Sequence, residues 1–150
     1  FVLGGSLYPT DIPWPANVVQ LPHVPPPRHP VFYSSAELSL NLTRGAMARS
    51  GYCPSGRLFE AAACGAAVLS DAWEGLDEFF EPGREILIAE TTEDALRAVR
   101  LPASEKQRLG RAARERCLAD HTADRRALEL LALIGAAEHE RASGDVAVEI

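Results

Sequence analysis

The spacing of apolar positions changes period repeatedly along this chain. Leu38, Leu40 and Leu42 alternate with Glu37, Ser39 and Asn41, the period of a half-buried strand. Ala66, Ala67, Val68 and Leu69 form a short apolar run after Gly65, as expected of a strand covered on both faces. Similar patterns predict further strands over 1–4, 17–21 and 85–89, alongside those over 37–42 and 66–70. Helical spacing predicts a short helix over 29–35, a clear one over 55–64 and a single turn over 76–80. Three more helices follow over 92–99, 104–118 and 123–141. Strands alternating with helices imply an α/β domain, a Rossmann-like open and mainly parallel sheet flanked by helices. Prolines at 9, 13, 15, 22 and 25–27 punctuate the first third and read as loops between elements.

Composition narrows the class. With 150 residues, the chain suffices for one ordinary domain. The pattern places this domain over 1–142 and a frayed tail over 143–150. A net charge of −6 argues against nucleic acid as a general partner. No apolar run approaches the roughly 20 residues that span a bilayer, so no transmembrane segment is expected. Nothing in the sequence resembles an export leader. The three cysteines, Cys53, Cys64 and Cys117, lack metal-ligand spacing and fit a reducing cytoplasmic setting. The chain opens on a strand already in progress, which predicts a piece of a longer polypeptide with a first strand and helix ahead of it. Residues 71–94 are largely acidic, whereas 97–126 are rich in arginine. Two solvated faces account for this, as does an arginine-rich helix docking on a neighbouring domain.

The segment from Gly51 to Asp71 carries the chemistry. Ser55 is a natural N-cap, and the first amides of the following helix, those of Gly56, Arg57 and Leu58, can face an anion. Glu60 lies one turn further, within reach of vicinal sugar hydroxyls beside that anion; helix-dipole complementation or pairing with Arg57 at i, i+3 would explain it equally. Ligands of open α/β sheets bind outside the carboxyl ends of the strands. Asn41, Thr43 and Arg44 follow one strand, with Arg44 suited to gripping a diphosphate bidentately. Asp71 and Trp73–Glu74–Gly75 follow the next; a glycine at 75 permits close backbone approach, and a plain helix-entry loop explains it equally well. His121–Thr122 reads as the break between two helices. His23, His29 and His121 lack a nucleophile partner, and no G-x-G-x-x-G is present.

The ordered set FVLGGSLYP, WPANV, FYSSAELSLNLTR, CPSGRLFEAAACGAAVLSD, GLDEFF, EILIA and HTADRR resembles the C-terminal half of CgeB-type (spore-maturation-like) glycosyltransferases over roughly 1–133. That resemblance implies a GT-B fold, whose C-terminal domain holds a nucleotide-sugar donor of UDP, GDP or ADP type. It implies transfer without a metal or cofactor, retention at the anomeric carbon, and an acceptor site on an N-terminal domain of the same polypeptide. The isolated fragment would then be inactive. Glu60 matches the second carboxylate of the family's Glu, seven residues, Glu motif, which holds the donor ribose. Gly56, Arg57 and Leu58 match the helix start beside the diphosphate, and Asp71, Gly75 and Leu76 the strand end and loop that follow. The first carboxylate of the motif falls at Tyr52. That departure keeps a second expectation open: a non-catalytic nucleotide- or sugar-binding module, or one for protein association.

Overall fold

The structure, a computed structural model, describes residues 1–6, 8 and 11–145, with side chains up to 139. Five short strands and seven α-helices follow in order: β1 (Val2–Gly4), β2 (Val19–Leu21), α1 (His29–Ser34), β3 (Ser39–Asn41), α2 (Gly45–Ser50), α3 (Gly56–Ala63), β4 (Val68–Ser70), α4 (Leu76–Phe79), β5 (Leu87–Ile88), α5 (Thr92–Arg100), α6 (Ala103–Asp120) and α7 (Ala123–Asp145). Every predicted strand and helix is present within a few residues. α2 has no counterpart in the prediction, because it starts on a glycine, has no side-chain cap and buries no residue.

All strand pairings are parallel, as the alternation of elements requires. The expected single sheet is in fact two. β3, β4 and β5 lie in that order, with Leu40 opposite Leu69 and Leu69 opposite Leu87. β1 and β2 pair only with each other among the described residues. The proline-punctuated stretch after Leu21 leads the chain away before β3 begins, and proline nitrogens cannot extend a ladder.

β4 is the central strand, and all three of its residues are buried. Over it pack Leu58, Ala61 and Ala62 of α3, with Leu76, Phe80, Ile86, Ala113 and Cys117. The alanines let α3 approach the sheet and α6 closely. α3 ends in a Schellman turn: Gly65 takes φ 74°, its amide bonds Ala62 O at 2.8 Å, and the Ala66 amide bonds Ala61 O at 3.0 Å. The chain is thereby turned directly into β4.

Two arginines of α6 bond within the domain. Arg114 donates to Ala63 O at 3.2 Å. Arg116 donates to Phe79 O and Glu78 O at 3.3 and 3.2 Å, and to Asp120. His121 closes α6 and orders its surroundings as well as breaking the helix. Its Nδ1 faces the Arg126 guanidinium at 2.6 Å and its Nε2 faces Phe79 O at 2.8 Å, so the ring donates from Nε2. Phe59, Phe79 and Phe80 pack around it. α7 then runs to Asp145 with Leu128, Leu130, Leu131, Leu133 and Ile134 exposed. Of the tail expected over 143–150, residues 143–145 thus continue a helix; 146–150 lie outside the described residues.

α5 begins with a complete capping box. The Asp94 amide donates to Thr91 Oγ1, while the Asp94 carboxylate accepts from Thr91 N at 2.9 Å and Thr91 Oγ1 at 2.8 Å. These hydrogen bonds, that of Thr91 first, hold the Asp94 carboxyl below its ordinary 3.8. A carboxyl with a depressed folded-state pKa stabilises the fold above the ordinary value and loses that contribution as pH falls through the depressed one. The protection factors of the Thr91 and Asp94 amides, referred to the intrinsic exchange rate at each pH, are therefore expected to fall on acidification below about pH 4. In Thr91→Ala, exchange there should already be fast at neutral pH. Equal protection in both proteins at pH 7 would contradict this cap.

Candidate functional site

Two groups of polar residues meet the chain where the sheet ends. The first is built by α3 and α1. Ser55 caps α3, its Oγ accepting from the Arg57 amide at 3.4 Å, and the Leu58 amide bonds Ser55 O at 3.0 Å. Of the three amides expected to face an anion, only that of Gly56 finds no acceptor among the described residues. Gly56 is exposed, and a Cβ built on it would meet nothing within 4 Å. Leu58 is corrected from ligand contact to core: its side chain is 1% exposed and its amide is spent on the cap.

Glu60 lies one turn into the same helix with half of its side chain exposed (50%). It does not pair with Arg57. Its Oε2 instead sits 3.3 Å from Tyr33 Oη and 3.3 Å from His29 Nδ1. These two partners stand at i and i+4 on α1 and so share one helix face. Tyr33 is otherwise buried, its ring against Phe32 and His29. Burial, then the Glu60 carboxylate, push its phenol above the usual value, so it remains a hydrogen-bond donor. Tyr33 is not among the sequence-derived candidates and His29 is weighed there only for a nucleophile partner; their i, i+4 spacing is the available signal.

The second group stands at the carboxyl ends of β3 and β4. Asp71 Oδ1 accepts from the Thr43 amide at 3.0 Å, from Thr43 Oγ1 at 2.9 Å and from Ser70 Oγ at 3.4 Å. With both hydroxyl hydrogens directed at the carboxylate, the hydroxyl oxygens are left to accept. The Asn41 amide nitrogen supplies Ser70 Oγ at 2.9 Å and Thr43 Oγ1 at 3.4 Å. Asn41 is 1% exposed, and its Oδ1 is buried without a partner among the described residues. A buried acceptor left unpaired is costly, and such groups concentrate where a ligand or water completes them. Asn41, Thr43 and Asp71 are therefore brought together, with Ser70 between them. Arg44 stands beside them, exposed, as the residue before α2.

Gly75 and Leu76 are corrected. Gly75 has φ 86°, and a Cβ there would lie 2.4 Å from Tyr52 Cδ1. The partner that comes close is thus the Tyr52 ring, tied by the Tyr52 amide to Glu74 O at 2.7 Å. Leu76 is buried in the core, and its amide bonds Trp73 O. Tyr52 itself adopts φ 48°, a strained conformation for a non-glycine residue, with its ring exposed. The Glu78 carboxylate, and after it that of Glu74, keep its phenol protonated. Among the described residues no three His, Cys, Asp or Glu side chains converge as metal ligands.

Two cavities lie outside these groups. One, of about 190 Å3, borders the carboxyl ends of β1 and β2 at Leu3, Gly5, Gln20 and Pro22. The other, of about 210 Å3, opens at the amino ends of β3 and β4, where Lys106 is held by Glu37 Oε2 and Val99 O.

Comparison with known proteins agrees with this architecture. Among curated proteins none matches the chain in sequence. Sucrose-phosphate synthase from Thermosynechococcus elongatus superposes with a TM-score of 0.65 at 20% identity, over 82% of this chain and 31% of the synthase. The chain thus spans about a third of that protein. The open parallel sheets flanked by helices match part of a GT-B glycosyltransferase fold. No helix among the described residues is long and apolar enough to cross a membrane. The profile of the glycosyl transferase-like family matches residues 1–132, nearly the whole described fold, and the chain belongs to that family.

Proposed function

We propose that this chain is the donor-binding domain of a CgeB-type, GT-B glycosyltransferase, and that it holds a nucleotide-sugar of UDP, GDP or ADP type. The observation that carries this reading is the opening of α3: an exposed Gly56 whose amide has no acceptor among the described residues, with a half-exposed carboxylate one turn along. A helix N-terminus favours the negative charge that builds on a diphosphate leaving group as the glycosidic bond breaks. Arg44 and Arg57, both exposed, supply the further positive charge that a metal-independent departure needs. Glu60 accepts hydrogen bonds from ribose hydroxyls and takes no proton. The acceptor, and any general base, belong in this proposal to an N-terminal domain of the same polypeptide, in a cytoplasmic setting. Transfer proceeds with retention, and residues 1–142 alone bind donor without turning it over.

One observation favours a second reading, binding or protein association without catalysis. Tyr52 stands where the family's sugar-contacting carboxylate falls, and its ring packs on Gly75. A thermal-shift panel of UDP-, GDP-, ADP- and CMP-sugars on the full-length protein separates the two, together with a search for donor hydrolysis or transfer. One nucleotide class is expected to raise Tm by several degrees at saturation. Glu60→Ala should weaken calorimetric affinity for it by more than about 1 kcal/mol, the scale of a hydrogen bond to a charged group. Stabilisation without turnover would select the non-catalytic module. No stabilisation by any nucleotide would remove the donor site, and unchanged affinity in Glu60→Ala would remove Glu60 from it.

A further inference from the structure

We infer that Tyr33 is a positioning residue for Glu60, fixing the carboxylate so that one oxygen is held by the protein and the other is presented to ligand. The inference rests on the proposed donor site and deepens it. A glutamate half exposed on a helix surface ordinarily samples several rotamers, and binding must then select one of them. Here both protein contacts fall on the same oxygen. Oε2 meets the Tyr33 hydroxyl at 3.3 Å and His29 Nδ1 at 3.3 Å, whereas Oε1 has no partner among the described residues.

The tyrosine that holds it is itself buried, 7% exposed. Its ring is wedged edge-on between Phe32 and His29, with centroids at 5.4 and 5.8 Å, and it belongs to the buried core beneath α3. His29 is anchored in turn at its other nitrogen, 3.0 Å from Val24 O. With Nε2 donating to that carbonyl, Nδ1 donates to Glu60 only when both ring nitrogens carry hydrogen. The phenol carries the contact in either state of the imidazole. A buried residue of α1 thus orients a ligand-facing carboxylate of α3, the arrangement by which a supporting residue reduces the conformational cost of binding.

A hydrogen bond that only tied α1 to α3 would affect folding and leave affinity alone. A double-mutant cycle distinguishes the two. UDP, GDP and ADP are titrated calorimetrically into the full-length wild type, Tyr33→Phe, Glu60→Ala and the double variant, with Tm recorded for each. Tyr33→Phe retains the ring and its packing. It is expected to weaken the best-bound of the three nucleotides about threefold to tenfold, the range for one hydrogen bond to a charged group acting indirectly. In the Glu60→Ala background it should change nothing further. Unchanged affinity in Tyr33→Phe, or an equal loss in both backgrounds, would overturn the positioning role while leaving a weakened Glu60→Ala to uphold the donor site. Undiminished binding by Glu60→Ala, or no binding by wild type, would overturn both.

Discussion

Gly110→Ala is expected to destabilise the protein by about 2 kcal/mol, although alanine is the better helix former. In an exposed helix the same change gains up to about 1 kcal/mol. Here α6 crosses the end of α3 with no room for a methyl group. A Cβ on Gly110 would lie 2.1 Å from Gly65 O and 3.1 Å from Ala67 N. Both are backbone atoms, so no rotamer change relieves the contact. Gly65 cannot retreat either, since its left-handed conformation and the two bonds of the Schellman turn hold it. α6 must lift, loosening Leu109, Ala113 and Cys117 from α3 and stretching the bond from Arg114 to Ala63 O. Overpacking of this kind costs roughly 3 kcal/mol, which outweighs the propensity gain. Gly135 in α7 is the control: a Cβ there meets nothing within 4 Å, so Gly135→Ala should be neutral or stabilising. Urea unfolding of both variants reads the difference. Wild-type stability in Gly110→Ala would mean that α6 does not sit on that turn.

Asn41→Asp should cost about 3 kcal/mol at neutral pH despite preserving shape. The amide is the donor that lets the Ser70 and Thr43 hydroxyls direct their hydrogens to Asp71. A carboxylate in its place offers only acceptors, so either a hydroxyl abandons Asp71 or two carboxylates compete for the same hydrogens. Both outcomes occur at a position 1% exposed, where an uncompensated charge is severely penalised. The sign with pH follows. Burial and a neighbouring carboxylate raise the folded-state pKa of the introduced acid above its unfolded value of about 3.9. The deficit is then full at pH 7 and shrinks as pH falls toward about 4, where both states bind the proton. Guanidinium unfolding of variant and wild type across that interval measures it, compared as differences because the Asp94 cap weakens in both below it. A deficit independent of pH would mean that the network is not arranged around Asp71.

The local features that carry the proposed site are readable because their causes lie within a few residues. Ser55 ahead of the apolar spacing of Leu58, Ala61 and Ala62 favours a cap, and a glycine after an alanine-rich helix favours a stop. The alternation around Leu40 likewise places Asn41 and Thr43 at a strand end. These steps depend on backbone geometry that neighbouring side chains enforce, so periodicity and cap chemistry suffice. α2 was invisible on the same grounds, since it has neither a stripe nor a cap.

What could not be read depends on contacts distant along the chain. The Tyr33 hydroxyl reaches Glu60 across 27 residues, and Ser70 reaches Asn41 across 29. Gly110 looks like a flaw in a helix until α3 is laid across it, and Gly75 like a ligand contact until Tyr52 covers it. Short-range rules thus account for which elements exist, and for the chemical types that can gather at strand ends. Which partner holds each carboxylate, which glycine is indispensable and which leucine is core are set by close packing, where atoms distant in the chain compete for the same space.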